Sequence, residues 1–250
     1  KKGFRNLKGF VNGILRNISR SQEQLAFPDE TEQPVLALSV RYSIPEWIIS
    51  RWADDYGLEK TSSMAAAFEN VSRLSVRTDT TKITPQELTD RLKAQGITAE
   101  PVQREEMPSL NYGLYLSGYD HLTAIPEFVQ GFFTVQDVSS MLAIEAADIH
   151  PGDHVIDVCA APGGKSLHAA EKLNGQGIVE ARDLTDYKVS LIEENIKKSG
   201  HTTIHASCMD AREIDTSWVE KADVVIADLP CSGLGVLRKK PDIRYRVTEE

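Results

Sequence analysis

Residues 155–165 read Val155-Ile156-Asp157-Val158-Cys159-Ala160-Ala161-Pro162-Gly163-Gly164-Lys165, and this stretch decides the fold. Its first five residues have the composition of a buried strand, and the chain then turns through small residues and two glycines into a helical segment, 165–173. That order places small residues at the carboxyl end of a strand, where open parallel sheets bind their ligands. Gly163 and Gly164 let the backbone approach a ligand with no Cβ in the way, and the helix that follows offers free N–H groups at its start. Neither the dinucleotide signature GxGxxG nor the phosphate loop GxxxxGK(S/T) is present, which disfavours NAD and ATP as ligands. On these residues alone, a tight turn without a ligand remains the alternative.

Downstream, strand-like stretches at 154–159, 177–181, 203–207 and 223–227 are separated by helical ones, including 165–173 and 186–198. Such alternation predicts a parallel sheet with helices on its faces. Asp183 ends the second strand, about 20 residues past the glycines, where an acid can accept hydrogen bonds from the ribose hydroxyls of a nucleoside cofactor. Asp210 follows the third strand and could meet an adenine amino group, and Asp228 closes the fourth. Any one of them alone reads as a helix cap or a surface acid, but three at successive strand ends point to one site. The fourth strand is expected at an exposed sheet edge, an invitation to pair with further chain.

Upstream the pattern differs. Phe4, Leu7, Val11, Ile14, Leu15 and Ile18 follow helical spacing, which predicts one amphipathic helix in need of a partner. Residues 21–34 lose periodicity and read as a linker. Ser43 and Glu46 have capping-box spacing ahead of Trp47, Ile48, Ile49 and Trp52, with Gly57 as a stop and a second helix from Thr61 or Ser62. Leu74 to Arg77 alternates like a strand, Thr84 and Glu87 form a capping box, and Gly96 ends that helix before a strand at 97–102, which together predict a small β-α-β unit. Residues 111–119 read as a loop rich in Gly and Tyr, and 132–149 as a short strand followed by a helix.

The composition is that of an ordinary soluble protein, with 41% apolar and 26% charged residues. No apolar run approaches the roughly 20 residues of a membrane span. Cys159, Cys208 and Cys231 are the three cysteines, without CxxC spacing, so neither a disulfide framework nor a zinc site is indicated and a cytoplasmic location is expected. The first residues do not resemble a secretory signal, and without an initial Met a truncated chain is expected. The net charge of −9 hides two basic clusters, one comprising Lys1, Lys2, Arg5, Lys8, Arg16 and Arg20, the other Arg238, Lys239, Lys240, Arg244 and Arg246. The second could hold phosphates, or be a solvated loop.

Taken together, these residues resemble the RNA cytosine-5 methyltransferases of the RsmB/Sun/Fmu type, in the NOL1/NOP2/Sun family. Cys159 to Lys165 looks like the family's S-adenosylmethionine loop, Asp183 and Asp210 fall where its cofactor acids lie, and Asp228-Leu229-Pro230-Cys231-Ser232-Gly233-Leu234-Gly235 is similar to its fourth motif. Val135 to Ser140 and Arg238 to Asp242 fit the same pattern, and Lys8 to Asn17 resembles the closing helix of a NusB-like RNA-binding domain. The resemblance implies three parts. Residues 1–33 would be a remnant of the all-α NusB-like domain with a linker, and 34–130 a helical linker with a small α+β RRM-like, RNA-binding subdomain. Residues 131–250 would be an α/β, Rossmann-like methyltransferase sheet, incomplete at its C-terminal end.

The same resemblance implies methylation of cytosine C5 in small-subunit ribosomal RNA by a monomer without a metal. Cys159, Ala160, Ala161, Pro162, Gly163, Gly164, Lys165, Asp183, Asp210 and Asp228 would hold S-adenosylmethionine. Asp228 would also hold the cytosine, Cys231 would help the C5 proton depart, and Lys188, Arg238, Lys239 and Lys240 would meet RNA. The attacking thiolate of this family lies in a Thr-Cys motif on a later strand, which these 250 residues do not contain, so a fragment is expected. Cys159 and Cys208 are otherwise expected to pack rather than react. Two alternatives stand beside this reading, a non-catalytic RNA-binding or ribosome-assembly protein with the same fold and, more remotely, a dehydrogenase.

Overall fold

The computed structural model describes residues 7–21, 26–70, 73–102 and 110–249. They fall into two compact units, one formed by residues 1–72 with 232–250 and the other by 73–231. Phe4, Lys1, Lys2 and Arg5, named above, lie outside the described residues.

In the first unit, helix α1 (Lys8–Arg20) carries the expected apolar stripe, and Phe10, Val11, Ile14, Leu15 and Ile18 are all exposed on it. The end of the expected linker is in fact the start of a helix, α2 (Pro34–Tyr42), where Pro34 takes the first-turn position that needs no N–H. Ser43 does not cap the next helix. It closes α2 with a left-handed φ of 51°, and α3 (Glu46–Tyr56) starts from Pro45 without a side-chain cap. Gly57 stops α3 as expected and also opens α4 (Leu58–Ala67), which therefore begins before Thr61. Tyr42, Ile44, Ile48, Ile49 and Ala65 form the core, with Trp47, Trp52, Phe68 and Leu234 against it. Arg244 donates to the Tyr42 carbonyl at 2.7 Å, tying the 232–250 segment to these helices.

The second unit holds two sheets. Strands β1 (Leu74–Thr78), β2 (Thr98–Pro101), β3 (Gly113–Ser117) and β4 (Phe133–Val135) are antiparallel in the order β2-β3-β1-β4. The expected β-α-β unit is therefore split, because β3 lies between β1 and β2. That strand occupies the stretch read as a loop; its Leu114 and Leu116 are buried, but Gly113 and Ser117 at its ends masked the alternation. Helix α5 (Pro85–Ala94) is capped by Thr84, whose hydroxyl accepts from the Glu87 N–H at 3.2 Å. With the short α6 (Pro126–Val129), it contributes to a core of Val76, Leu88, Leu92, Leu114, Leu116 and Phe133. The opposite sheet face turns toward α7 (Val138–Ala146): the Ser75 hydroxyl donates to the Gln136 carbonyl at 2.8 Å, and Tyr115 packs near Val138 and Leu142.

The second sheet is parallel, with strands β5 (His154–Asp157), β6 (Ile178–Asp183), β7 (Ile204–Cys208) and β8 (Val224–Ile226) in the order β7-β6-β5-β8. Helices α8 (Gly164–Leu173) and α9 (Asp186–Ser199) are its crossovers. Val155, Leu167, Ala169, Leu173, Val179, Ala181, Ile192 and Ile226 make one core. Strand β8 lies at the edge, as expected, with Val225 exposed. No helix among the described residues is long and apolar enough to cross a membrane.

Gly177, just before β6, has φ +104°, and a Cβ there would stand 2.4 Å from the Asp153 carbonyl oxygen. Gly177→Ala should lower unfolding stability by about 1–3 kcal/mol through backbone strain and that clash. Urea unfolding of the two proteins checks this, and an unchanged midpoint would contradict it.

Candidate active site

All four parallel strands end on one edge of their sheet, and an acid stands at or just beyond each end: Asp157, Asp183, Asp210 and Asp228. Between β5 and α8 the loop folds back on itself. The Ala160 N–H donates to the Arg182 carbonyl at 2.8 Å, and the Gly163 N–H to the Ala160 carbonyl at 2.6 Å. Gly163 sits at φ +105°, where an L side chain is strained, so a glycine is required at this turn.

The loop forms one wall of a cleft of about 170 Å³ lined by Cys159, Ala160, Ala161, Pro162, Gly164 and Lys165. Asp157 and Asp228 close its strand side, and Gln136, Asp137 and Ser140 come in from the start of α7. The Lys165 ammonium donates to Asp228 Oδ2 at 2.6 Å and to Ser140 Oγ at 3.3 Å, so one cation ties the loop, the β8 acid and α7 together.

Asp157 was not singled out from the sequence, although an acid closing an apolar strand directly before the loop is a usable signal. It is buried and accepts from the Ser166 hydroxyl at 2.7 Å. Burial pushes its carboxyl up to about 6, and the Ser166 and Cys159 donors and the Lys165 charge offset this only in part.

Asp183 lies outside that cleft, at the end of β6. It is buried and accepts from the Ala161 N–H at 3.0 Å, the Leu184 N–H at 2.8 Å and the Lys188 ammonium at 2.8 Å. Burial raises its pKa, but Lys188 and the two backbone donors outweigh that and hold the carboxyl below the usual range. Lys188, expected at RNA, is thus committed to Asp183, since both lie within one turn of the β6–α9 junction. Asp210 is held down to about 2 by the Arg212 side chain, which donates through Nε at 3.0 Å.

The Cys231 thiol is exposed in the irregular segment after β8. Cys159 is half-buried, its thiol pushed up by burial and then by Asp183 and Asp157. Cys208 is exposed rather than packed, because it is the last residue of β7 and its thiol points to the Leu184 carbonyl at 3.4 Å. Arg238, Lys239 and Lys240 belong to the first unit.

A further group, Asp79, Glu171 and His201, brings its ligand atoms within 4.8 Å of one another. These acids already have cationic or imidazole partners: Arg77 on Glu171 at 2.6 Å, and His201 and Lys82 on Asp79 at 3.1 and 3.5 Å.

The sequence matches the family model "16S rRNA methyltransferase RsmB/F" over residues 144–250 and the model of the RsmF/B-like ferredoxin-like domain over 44–111. It is 38% identical over 246 residues to a Bacillus subtilis (strain 168) protein named "Probable ribosomal RNA small subunit methyltransferase B", covering 98% of this chain and 53% of that protein. A Synechocystis protein of the same name is 32% identical over 248 residues, covering 98% and 54%. The chain thus spans about half the length of the curated relatives it matches. The crystal structure of a methyltransferase homologue from Pyrococcus horikoshii superposes with a TM-score of 0.70 at 26% identity, covering 85% of this chain and 68% of that one. With the ferredoxin-like sheet, the glycine-turned loop and the row of strand-end acids in place, the chain carries two domains of the RsmB/F family of 16S rRNA methyltransferases, at 44–111 and 144–250.

Proposed function

We propose that the protein to which these residues belong methylates C5 of a cytosine in small-subunit ribosomal RNA, using S-adenosylmethionine. The observation that carries this reading is the single cleft in which Lys165 joins the Cys159–Lys165 loop to Asp228. The cleft fits the cofactor chemically. Gly164 offers room, with nothing within 4 Å of a built Cβ, and the loop supplies backbone polar groups. Asp157 and Asp228 supply negative charge suited to an amine or sulfonium, while Asp183 would accept from ribose hydroxyls and Asp210 from an adenine amino group. When bound, the cofactor supplies an electrophilic methyl group.

The remaining chemistry belongs to protein side chains. Cytosine C5 is a weak nucleophile, and a thiolate adding to C6 pushes electron density onto C5. By family resemblance that thiolate comes from a Thr-Cys motif, which is not among these residues. Asp228, oriented by Lys165, would accept from the cytosine amino group and hold the ring in place. Once C5 carries the methyl, Cys231 takes the C5 proton, the C5–C6 double bond re-forms, and the adding thiolate leaves C6. Arg238, Lys239 and Lys240 would neutralise RNA phosphates, and cytoplasmic, monomeric action at residues 131–250, with 1–33 and 34–130 as RNA-side segments, completes the proposal.

In the complete native protein, Cys231→Ala should accumulate an RNA–protein adduct that survives a denaturing gel, because release is slowed while addition is not. Wild-type turnover without an adduct would remove Cys231 from the mechanism, and RNA binding with no methyl transfer by the wild type would instead indicate a ribosome-assembly role. Asp183→Ala is expected to weaken S-adenosylmethionine binding by about 1.5–3 kcal/mol, the contribution of a hydrogen bond to a charged group; calorimetry giving wild-type affinity would withdraw the ribose assignment. Because its pKa is raised to about 6, Asp157 loses its charge as pH falls through that value. Cofactor affinity should therefore decline from pH 7 to pH 5 in the wild type and stay flat, at a weaker level, in Asp157→Asn, which titration calorimetry across that range tests.

A further inference from the structure

Arg77 lies on β1 of the small antiparallel sheet, yet its side chain is 0% exposed and ends among groups of the parallel half. Its Nε and Nη2 donate to the two carboxylate oxygens of Glu171 on α8, at 2.8 and 2.6 Å. Its Nη1 donates to Gln136 Oε1 and, at 3.1 Å, to the carbonyl oxygen of Gly164. The Gln136 amide in turn donates to the same Gly164 carbonyl at 3.4 Å. Gly164 and Gln136 are both walls of the cleft described above. One planar guanidinium therefore grips α8 at both ends, at the glycine where the cofactor loop becomes helix and at Glu171 near its C-terminus. It also sets the side chain that closes the cleft from the α7 side.

A guanidinium presents five donors in a fixed fork, a geometry that an ammonium cannot reproduce. The Gly164 carbonyl belongs to the first turn of α8, so its orientation is tied to that of the loop amides just before it.

We infer that Arg77 is a positioning residue for methyl transfer: from the small sheet it fixes the Gly164 end of the cofactor loop and the Gln136 side chain in the arrangement that receives the cofactor. This rests on the reading that the cleft binds S-adenosylmethionine. Glu171 balances the charge that the arrangement needs, and burial pushes its carboxyl up while Arg77 opposes that. The pair separates what each partner does. Glu171 makes a buried guanidinium tolerable, and the third nitrogen, which Glu171 does not use, acts on the cleft.

The test uses the complete native protein and two variants. Arg77→Met combined with Glu171→Met removes both buried charges together, a replacement that proteins often tolerate without loss of stability, whereas Arg77→Lys keeps the charge and loses the fork. Amide hydrogen exchange of residues 160–167 is read without any ligand, beside the thermal midpoint, and S-adenosylmethionine affinity is then read by calorimetry. The expected result is faster exchange confined to 160–167 in both variants while the midpoint of the double variant stays near wild type. With it comes about a tenfold loss of cofactor affinity, the scale of one hydrogen bond to a charged group, and a raised KM for the cofactor with an unchanged KM for RNA. Native exchange of the loop in a folded variant overturns the inference, and so does faster exchange with wild-type affinity. If the double variant does not fold, Arg77→Lys decides by the same criteria. A wild-type protein that binds no S-adenosylmethionine sinks the proposed function instead, and the exchange comparison still decides whether Arg77 holds the loop.

Discussion

One buried ion pair sets how the elements of the second unit register against one another. Arg77 and Glu171 are 94 positions apart in the chain and meet with Arg77 fully buried and Glu171 nearly so. A buried charge left alone is strongly unfavourable, so each residue requires the other to be in place. The requirement is met only if the small sheet, α7 and α8 pack in one way, because Gln136 and the Gly164 carbonyl fill the remaining donors. Polar contacts nearby reinforce this. Tyr112 donates to Glu145 at 2.5 Å, and His201 meets Asp79 at 3.1 Å. Apolar packing makes each sheet stable on its own face, and this polar set adds a specific registration between them.

The cleft edge obeys the same rule in a weaker medium. The acids at three strand ends each have a basic partner: Lys165 for Asp228, Lys188 for Asp183, Arg212 for Asp210. Asp157 is the exception, satisfied by a hydroxyl and a backbone N–H, and it is the one among these acids whose pKa burial raises to about 6. A cationic ligand would find its least compensated partner there.

The parallel half was legible in the sequence because its signals are local. A strand, a glycine turn and a helix follow each other without a gap, and the acids lie at strand ends that the apolar runs delimit. Thr84 and Gly96 were read correctly for the same reason. Other features were hidden by overlapping local meanings. Pro34 can end a helix or begin one, and Gly113 and Ser117 bracket β3 with residues that usually mark turns. Asp157 looked like part of a strand, and Arg77 like an ordinary polar residue in an alternating one, since no pattern along the chain announces a partner so distant. The Lys188–Asp183 pair was not read from the sequence, although the two residues are only five positions apart.

Proteins with a four-stranded sheet of this kind often lay single-stranded nucleic acid across its open surface and stack bases on exposed aromatic rings. Here the β1 part of that surface is taken, while Thr98 and Glu100 of β2 stay exposed. Ser75 and Arg77 are buried against the neighbouring elements, and Tyr115, the aromatic residue of these strands on that side, lies beneath the Arg73 guanidinium at 3.9 Å. Along β1 the sheet has become internal scaffolding rather than an open stacking platform.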